Sequence, residues 1–599
     1  MVKILAMNKS IKKYLFFLII IYAIIFISSL FIGRYAISIK SFFNLNNQDL
    51  QLEKNIILNL RLPRAIVATL AGISLSLSGL IYQETFQNDL VSPDLLGVSY
   101  GAGVGASIAI VFGLSNFFIA IFSFTFGIFT VILTVLISNV FRSKNNITLI
   151  LSGIIVGGFM SSILTTIKYF VNPETQLSTI VYWLMGSFAN VTYNNIAFML
   201  PVVLILFVIL MCISHRINLI ALGKEETETK GVNYILYRNI IIAIATMLTA
   251  TTVSCCGTIG WIGLIIPHIV KSMVGRDVNK TLPLCAVTGA TFTLITDIIA
   301  RSITQSEIPI SAITGILGAV ILTIILINQN NERINVSTIK KEDTKLVFNE
   351  ALDKNIDKHF VVAKINKIID NSNNSIMRIE NIYFRYNKKM DYILKNISLD
   401  IYENKILLLY GANGSGKTTL LKIISGILKP IYGKVLIKYD NSEFDINKMS
   451  LINRSKKISY VKQNFSNIKN ILVKDYLILG MVNELKFYEK PTQEQIQRVE
   501  KYATELNITK LLDKKFFEIS GGEKQLVVLC QSLLQNANIL ILDEPTSALD
   551  SDNQELVINI LLRLVKEFNK TIVFSTHNKS HKNINGCIVK TLKDGCLFN

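Results

Sequence analysis

The sequence predicts a polytopic α-helical membrane domain of about ten spans, followed by an α/β domain built around a phosphate-binding loop. Two observations predict this division. Long uncharged apolar stretches fill residues 1–330, whereas residues 376–599 alternate short apolar runs with polar segments and contain a glycine-rich loop. Of the 599 residues, 51% are hydrophobic and 17% are charged. In soluble domains roughly a quarter of the residues are charged.

Several apolar runs in the first 330 residues are long enough to cross a membrane. A hydrocarbon core of ~30 Å needs about 20 apolar residues in helical conformation. The longest uncharged run contains Gly257 and Pro267, so it predicts a full helix followed by a short one. The candidate spans are Tyr14–Gly33, Ala65–Gln83, Leu95–Asn116, Phe117–Phe141, Asn146–Ile167, Asn195–Ser214, Asn239–Val270, Pro283–Thr296 and Ile310–Asn328.

The positive charges predict how the spans are oriented. With a cytoplasmic N-terminus, most lysines and arginines beside the spans fall in inner loops, which agrees with the positive-inside rule. This orientation places the second half of the chain in the cytoplasm. Because the basic residues gather beside apolar spans, the net charge of +19 indicates attraction to anionic membrane lipid. Nucleic-acid binding is not expected.

A polar segment separates the two halves. Residues 331–375 are rich in Lys, Asn and Asp and lack sustained apolar periodicity. The segment is too long for an ordinary loop and predicts a flexible cytoplasmic tether. Such a tether allows the second half to dock on its own membrane domain or on that of a neighbouring copy, and the sequence leaves both arrangements open.

A phosphate-binding loop follows the buried-strand run Ile406–Tyr410 and leads into a helix. In this context the backbone N–H groups of a glycine-rich loop wrap the phosphates of a nucleotide. We expect Lys417 to reach the β- and γ-phosphates and Thr418 to bind Mg²⁺. The candidate ATP-binding residues of the loop are Gly411, Asn413, Gly414, Ser415, Gly416, Lys417, Thr418 and Thr419.

Two further motifs predict ATP hydrolysis. The buried-strand run Ile539–Leu542 ends in Asp543 and Glu544. We expect Asp543 to bind Mg²⁺ and Glu544 to orient or deprotonate the attacking water, because phosphoryl transfer needs positioning and charge stabilisation. A second anion-binding helix terminus is predicted where the residues Ser520, Gly521, Gly522 and Glu523 precede a helix.

Together these motifs resemble those of the ATP-binding-cassette (ABC) ATPases across residues 376–599. The resemblance implies that the serine-glycine signature closes over ATP held by a second copy, so a homodimer is expected, and that Asp550 crosses that interface. It also implies ATP and Mg²⁺ as cofactors. Gln463 is then the residue that links Mg²⁺ to the membrane half, and His577 contacts the γ-phosphate. Tyr386 is expected to stack on adenine, with a core tyrosine as the alternative.

Short motifs also follow one another in a characteristic order in the membrane half. They include Arg61-Leu62-Pro63-Arg64, Gly72, Gly79, Trp183-Leu184-Met185-Gly186-Ser187, Leu222-Gly223, Gly260-Trp261-Ile262-Gly263-Leu264, Pro267-His268 and Asp297 with Arg301. This half resembles the permeases of bacterial importers for ferric siderophores, haem and cobalamin, the type II ABC importers, which have ten spans per subunit. The resemblance implies a multi-pass protein of the bacterial cytoplasmic membrane and a separate extracytoplasmic substrate-binding protein.

The polar stretch at residues 218–232, called the coupling segment below, is predicted to contact the ATPase. In the resembled family this loop docks on the ATPase, and its acidic side chains would face a basic domain. An ordinary solvated loop is the alternative. Thr227 and Lys230 stand where the family usually has Ala and Leu. The expected coupling residues are Leu222, Gly223, Glu225 and Glu226.

Three arginines lie at the outer mouth in the predicted topology. In related importers, arginines at this place meet acidic groups on the substrate-binding protein, and opposite charges fix the register of docking. Arg61, Arg64 and Arg301 are therefore expected to form the docking site. The alternative is that they snorkel to the membrane interface.

These predictions combine into ATP-driven import of an iron chelate, a ferric siderophore. Few ionisable residues lie within the spans, so a proton relay is not expected. The alternatives are import of cobalamin or haem and, in a different class, a membrane regulator that is gated by ATP without pumping. The presence of both Glu544 and His577 favours turnover over gating alone.

Overall fold

The protein has two structural halves in the computed structural model, a helical half up to residue 327 and an α/β half from residue 374. The described residues are 9–35, 53–141, 146–304, 306–325, 327, 374–387, 389–439, 442–463, 471–485, 489, 491–547, 549, 551–584 and 586–598. The predicted tether at residues 331–375 lies outside them except for residues 374 and 375. Asp550 also lies outside them.

The helical half contains long apolar helices joined by short ones. In chain order they are α1 (Lys9–Phe31), α2 (Leu62–Phe86), α3 (Val98–Val111), α4 (Asn116–Val140), α5 (Asn146–Phe170), α6 (Ser178–Leu184), α7 (Tyr193–Ile220), α8 (Lys224–Thr229), α9 (Tyr234–Cys256), α10 (Ile262–Val274), α11 (Val278–Ser302) and α12 (Ile310–Ile325).

The helices confirm a multi-pass membrane domain. Seven of the described helices, α1, α2, α4, α5, α7, α9 and α11, are long and apolar enough to cross a membrane, and α3, α10 and α12 are shorter apolar helices. The predicted interruption lies between α9 and α10. There Gly257 has a φ of 71°, a backbone conformation that favours glycine because it has no Cβ.

Close backbone contacts hold α2 in the centre of the bundle. A Cβ atom on Gly72 would lie 2.2 Å from the carbonyl oxygen of Gly289 on α11, and one on Gly79 would lie 1.8 Å from the carbonyl oxygen of Gly263 on α10. Small residues allow helices to approach this closely in lipid. The glycine pattern of the sequence therefore serves helix packing at these two positions.

The second half combines two sheets with flanking helices. Its strands are β1 (Ser375–Phe384), β2 (Leu394–Tyr402), β3 (Ile406–Tyr410), β4 (Tyr432–Tyr439), β5 (Ser442–Asp445), β6 (Ile458–Val461), β7 (Ile539–Leu542), β8 (Thr571–Thr576), β9 (Cys587–Lys593) and β10 (Cys596–Phe598), and its helices are α13 (Lys417–Ile424), α14 (Leu451–Lys457), α15 (Val473–Ile478), α16 (Gln493–Glu505), α17 (Gly521–Leu534) and α18 (Ser551–Phe568).

The strand order explains which loops come together. An antiparallel sheet has the order β2-β1-β4-β5, and the larger sheet has the order β10-β9-β3-β8-β7-β6. In the larger sheet β9, β3, β8, β7 and β6 run parallel to one another, and β10 pairs antiparallel with β9. The carboxyl ends of β3, β8, β7 and β6 therefore meet at one edge, where α/β proteins bind ligands.

The two halves pack against each other within one chain. Leu219, Leu222 and Val232 of the coupling segment belong to the same buried cluster as Val473 and Leu477 of α15. Apolar surface buried in this way contributes roughly 25 cal/mol per Å². The α/β half thus docks on the membrane half of its own polypeptide, one of the two arrangements that the sequence leaves open.

The contact at Gly79 predicts the outcome of a matched pair of substitutions. Gly79→Ala places a methyl group against the backbone of α10, and we expect the overpacking to lower the free energy of unfolding by about 1–3 kcal/mol. Gly158→Ala on α5 is the control, because a Cβ there would have nothing within 4 Å. Thermal unfolding of the purified protein in detergent measures both. Equal midpoints for the two variants would contradict the packing role of Gly79.

Candidate functional site

The phosphate-binding loop joins β3 to α13 in a conformation that requires glycine. Gly414 and Gly416 have φ angles of 82° and 101°, in the left-handed region that side chains with a Cβ disfavour. The ammonium group of Lys417 donates hydrogen bonds to the carbonyl oxygens of Gly411 at 2.8 Å and Ala412 at 3.0 Å. The positive charge of Lys417 is therefore held over the loop.

A buried hydroxyl in the loop indicates what the loop can bind. Among the described residues, Ser415 is one whose buried side-chain oxygen has no hydrogen-bond partner. An unsatisfied buried donor costs about 1–3 kcal/mol. A phosphate oxygen in the loop would accept this hydrogen bond, so the residues present fit the phosphate groups of a nucleotide.

Glu544 lies at the centre of a cluster of polar side chains. Its carboxylate accepts a hydrogen bond from Nε2 of Gln463 at 2.7 Å. Nδ1 of His577 lies 3.3 Å and Nζ of Lys417 lies 3.6 Å from its other oxygen. The carboxylate therefore lies between the neutral amide of Gln463 and the basic groups of Lys417 and His577, at the edge of a cavity of about 410 Å³ that His577 also lines.

Asp543 lies beside this cluster. Its carboxylate accepts hydrogen bonds from Ser575, at 2.8 Å, and from Thr418. Burial raises the pKa of Asp543, and the two hydrogen bonds oppose this rise. A carboxylate beside a hydroxyl offers the oxygen ligands that Mg²⁺ prefers, so these residues fit the predicted ion.

Tyr386 lies next to the loop with its ring turned outward. Its hydroxyl is 3.2 Å from Oγ1 of Thr419, and its ring stands edge-on to Phe384. The residue is 58% exposed. The alternative of a core tyrosine is therefore wrong, and an exposed ring face is free to stack on a planar base.

The signature forms the exposed start of α17. The side chain of Ser520 accepts a hydrogen bond from the backbone N–H of Glu523, and Glu523 accepts one from the backbone N–H of Ser520. This capping box organises the helix terminus. Ser520 and Gly521 are exposed, and Gly522 leads into the first turn.

The coupling segment contacts the α/β half through polar groups as well as apolar ones. Glu225 is paired with Lys422 on α13 at 2.7 Å, and Glu226 with Lys462 at 3.4 Å. Gly223, with a φ of 101°, begins the turn into α8. The alternative of an ordinary solvated loop is therefore wrong. A third ion pair, between Lys280 and Asp475, also joins the two halves.

Sequence reasoning missed the most connected polar residue of this contact, Gln535. Its side chain lies within hydrogen-bond distance of Thr229 and Lys230 of the coupling segment and of Ser459 on β6. A lone glutamine near the end of a helix belongs to no motif of fixed spacing. The capping position after α17 is the one sequence signal that singles it out.

The structure corrects the expectation for the three arginines. Arg61, Arg64 and Arg301 are each at most 8% exposed. Arg61 donates to the carbonyl oxygens of Leu30 and Phe31 at 2.9 and 2.8 Å, and so it ties the end of α1 to α2. A guanidinium group buried against its own chain is not presented to a docking protein.

Arg64 and Arg301 share a buried carboxylate. Arg64 lies 2.7 Å from both Asp297 and Glu307, and Arg301 lies 3.5 Å from Asp297 and donates to the carbonyl oxygen of Ser29 at 2.5 Å. Charged side chains inside a membrane domain almost always pair with one another or with backbone carbonyl groups. These arginines connect α1, α2 and α11, and the snorkelling alternative is equally wrong for them.

Comparison with known proteins identifies both halves. The FecCD transport family matches residues 19–328, which is more than half of the chain, and the ABC transporter family matches residues 394–547. The chain belongs to the FecCD transport family. Its permease is fused to an ABC ATPase domain, and the protein is an ABC importer of type II that binds and hydrolyses ATP.

Three curated relatives cover most of the permease length. The molybdate import system permease protein MolB of Haemophilus influenzae is 36% identical over 52% of this chain and 94% of its own length. A permease protein of Helicobacter pylori that is named for iron chelatin transport is 38% identical over 47% of this chain and 85% of its own length. The vitamin B12 import system permease protein BtuC of Shigella sonnei is 34% identical over 43% and 80%.

A solved structure resembles the FecCD half. It is described as an inward-facing conformation of an ABC transporter of the metal-chelate type. It is 35% identical and covers 53% of this chain and 99% of that chain, with a TM-score of 0.50. The permease fold described above is therefore that of a known class of ABC importer.

Because the three arginines of the permease are buried, we expect their substitution to lower the stability of the protein rather than to weaken docking of a binding protein. Arg64→Met leaves Asp297 and Glu307 without their shared partner, and we expect a loss of about 3–5 kcal/mol in the free energy of unfolding. Arg34→Met is the control, since Arg34 is exposed. Thermal unfolding in detergent measures the change. An unchanged midpoint for Arg64→Met would contradict the role assigned to the ion pairs.

The cluster around Glu544 predicts the behaviour of a hydrolysis-deficient variant. Glu544→Gln keeps the shape of the side chain but removes the base, and we expect the ATPase rate to fall by ~10²–10⁴-fold while ATP still binds. Glu567→Gln is the control, because Glu567 is an exposed residue of α18 paired with Arg563. Phosphate release from protein in lipid vesicles measures the rate. A wild-type rate in Glu544→Gln would remove Glu544 from this role.

Proposed function

We propose that the protein imports an iron chelate, a ferric siderophore, across the bacterial cytoplasmic membrane and that ATP hydrolysis drives this import. One observation carries the proposal. The coupling segment of the permease is buried against an ATPase domain of the same chain, and that domain holds Glu544 within reach of Gln463, His577 and Lys417. Motion at the ATP site therefore has a direct physical route to the membrane helices.

The side chains of the ATP site divide the work of phosphoryl transfer. Lys417 neutralises phosphate charge, and the N–H groups of the loop orient the phosphates. Glu544 orients or deprotonates the attacking water, because Gln463 and His577 hold its carboxylate in place. Thr418, Gln463 and Asp543 would hold Mg²⁺, which when bound neutralises phosphate charge. Tyr386 stacks on the adenine.

The exposed signature supports a homodimer. Ser520 and Gly521 are exposed at a helix N-terminus, where N–H groups attract an anion. In the proposed dimer, Ser520 and Gly522 of one copy close over ATP that the phosphate-binding loop of the other copy holds, and Asp550 crosses the same interface. Two ATP molecules then close the two cassettes and move both coupling segments.

The proposal places the ATPase domain in the cytoplasm and the opposite face of the permease toward an extracytoplasmic substrate-binding protein. The positive-inside distribution of the loops supports this orientation. Since Arg61, Arg64 and Arg301 are buried, the binding protein docks elsewhere on that face. Delivery by a separate protein agrees with the type of importer to which the chain belongs.

The proposed cargo follows from the relatives. A relative with 38% identity is named for iron chelatin transport, and relatives at 36% and 34% are named for molybdate and vitamin B12 import. The second candidate cargo is therefore cobalamin, with haem as a further chelate and molybdate as the anionic alternative. The regulator without pumping is less favoured, because a complete set of hydrolytic side chains surrounds Glu544.

Uptake by whole cells tests the proposal. A bacterium that lacks its own iron-chelate importers is made to express the full chain together with a candidate binding protein. We expect radioactive iron offered as a ferric hydroxamate or ferric catecholate to accumulate, and Glu544→Gln to abolish accumulation because the transport step is coupled to hydrolysis.

Labelled cobalamin, haem and molybdate are offered in parallel to the same cells. Accumulation of one of these in place of iron would replace the proposed cargo and keep the importer. ATP binding by the purified protein without turnover, together with no accumulation of any of the four, would favour the ATP-gated regulator.

A further inference from the structure

Gln535 is the residue through which the ATPase domain makes most of its buried polar contacts with the coupling segment. It follows α17 directly and is 1% exposed. Its amide oxygen accepts hydrogen bonds from Nζ of Lys230 and Oγ of Ser459, both at 3.0 Å. Its amide nitrogen lies 3.0 Å from the carbonyl oxygen of Thr229 and 2.7 Å from that of Ser455.

These contacts connect Gln535 to three parts that take part in the ATP cycle. It caps α17, the 14-residue helix that begins at the signature. Ser459 lies on β6, the strand that leads to Gln463. Thr229 and Lys230 belong to the permease. The helix α17 is about 21 Å long, and rigid secondary elements carry coupling between distant sites, so a displacement of its signature end reaches Gln535 at the other end.

Lys230 provides the permease side of this contact. Its side chain is buried, with only 2% of the residue exposed. A buried ammonium group is tolerated only when it is hydrogen-bonded or paired. Gln535 supplies the hydrogen-bond acceptor, Glu226 supplies a favourable charge, and Lys462 an unfavourable one. An apolar side chain would fill the space without this directional bond.

We propose that Gln535 and Lys230 form a polar joint that transmits the position of the signature helix to the permease. The inference rests on the proposed function. Gln535 is a positioning residue, since it acts through the coupling segment and not on the reacting atoms. Other contacts around the joint, such as the ion pair Lys422–Glu225, also connect the two halves. This pair is partly exposed, and partly exposed ion pairs contribute little to stability.

The joint is tested by hydrogen exchange in the full-length protein in lipid, with Glu544→Gln as the parent so that bound ATP persists. Exchange is measured for the peptide covering residues 222–232 with and without Mg-ATP. We expect the ATP-dependent change in the parent to fall by about fivefold or more in Gln535→Leu and in Lys230→Met, which corresponds to the lower end of typical coupling between sites. ATP affinity stays unchanged.

Lys422→Gln is the matched control, because it removes an ion pair at the rim of the same interface. We expect it to retain the response of the parent. Lys230→Met is the second variant in case Gln535→Leu fails to fold, since methionine fills the space of the lysine stem without a charge. A purely structural role for the joint predicts that both variants keep the ATP-dependent change.

The results separate this inference from the proposed function. A parent that does not bind ATP would contradict the proposed function. Variants that bind ATP and respond as strongly as the parent would overturn the joint and leave the importer in place. Coupling through the joint requires both variants to bind ATP with a reduced response.

A pH series gives a readout that a structural role would not change. Burial lowers the pKa of Lys230 to about 8. A lysine outside the interface keeps its proton to higher pH than the buried Lys230 does. Raising the pH from 7 to 9 therefore strengthens docking of the two halves, because the buried lysine loses a charge that is unfavourable to bury. The same change removes the charge-assisted hydrogen bond to Gln535. The charged groups that face Lys230 are Glu226 from α8 and Lys462 after β6.

We expect the ATP-dependent change, normalised for intrinsic exchange, to decrease in the parent over this pH range. It should stay low and flat in Lys230→Met. In Lys230→Arg it should stay high and flat, because a guanidinium group remains protonated. A response in the parent that does not change between pH 7 and 9 would overturn the role of the Lys230 charge.

Discussion

An apolar contact between the permease and the ATPase domain underlies the rest of the structure. A buried cluster that includes Leu219, Leu222 and Val232 continues into the core of the ATPase domain. At this contact the permease and the ATPase domain therefore cover each other's apolar surface. Because both halves belong to one polypeptide, their association is intramolecular and has a high effective concentration. The coupling segment is thereby held against the elements that surround the ATP site.

Around this contact, buried charged side chains add specific hydrogen bonds and ion pairs to packing that is otherwise apolar. Lys230 is satisfied by Gln535, and Arg64 is satisfied by Asp297 and Glu307. Such pairs contribute little net stability compared with apolar residues of the same shape, but breaking one partner is strongly destabilising. These pairs therefore favour one relative position of the helices, which suits a protein whose two halves must move together.

The ATP site is assembled by sheet topology. Lys417 follows β3, Glu544 follows β7, His577 follows β8 and Gln463 follows β6, and these four strands are neighbours in the order β3-β8-β7-β6. Their carboxyl ends bring residues more than a hundred positions apart to one carboxylate. The signature lies exposed at the start of α17, and this exposure supports the proposal that a second copy completes the site.

The sequence alone determined the division into halves, the apolar helices, the interruption at Gly257 and the hydrolytic motifs around Lys417 and Glu544. Those features depend on neighbours along the chain, because periodicity and loop chemistry are local. The tertiary structure decided that the ATPase domain docks on its own permease, that Arg61, Arg64 and Arg301 are buried, and that Gln535 meets Lys230. Their partners lie tens to hundreds of residues away, and no local pattern records which distant side chain satisfies a buried charge.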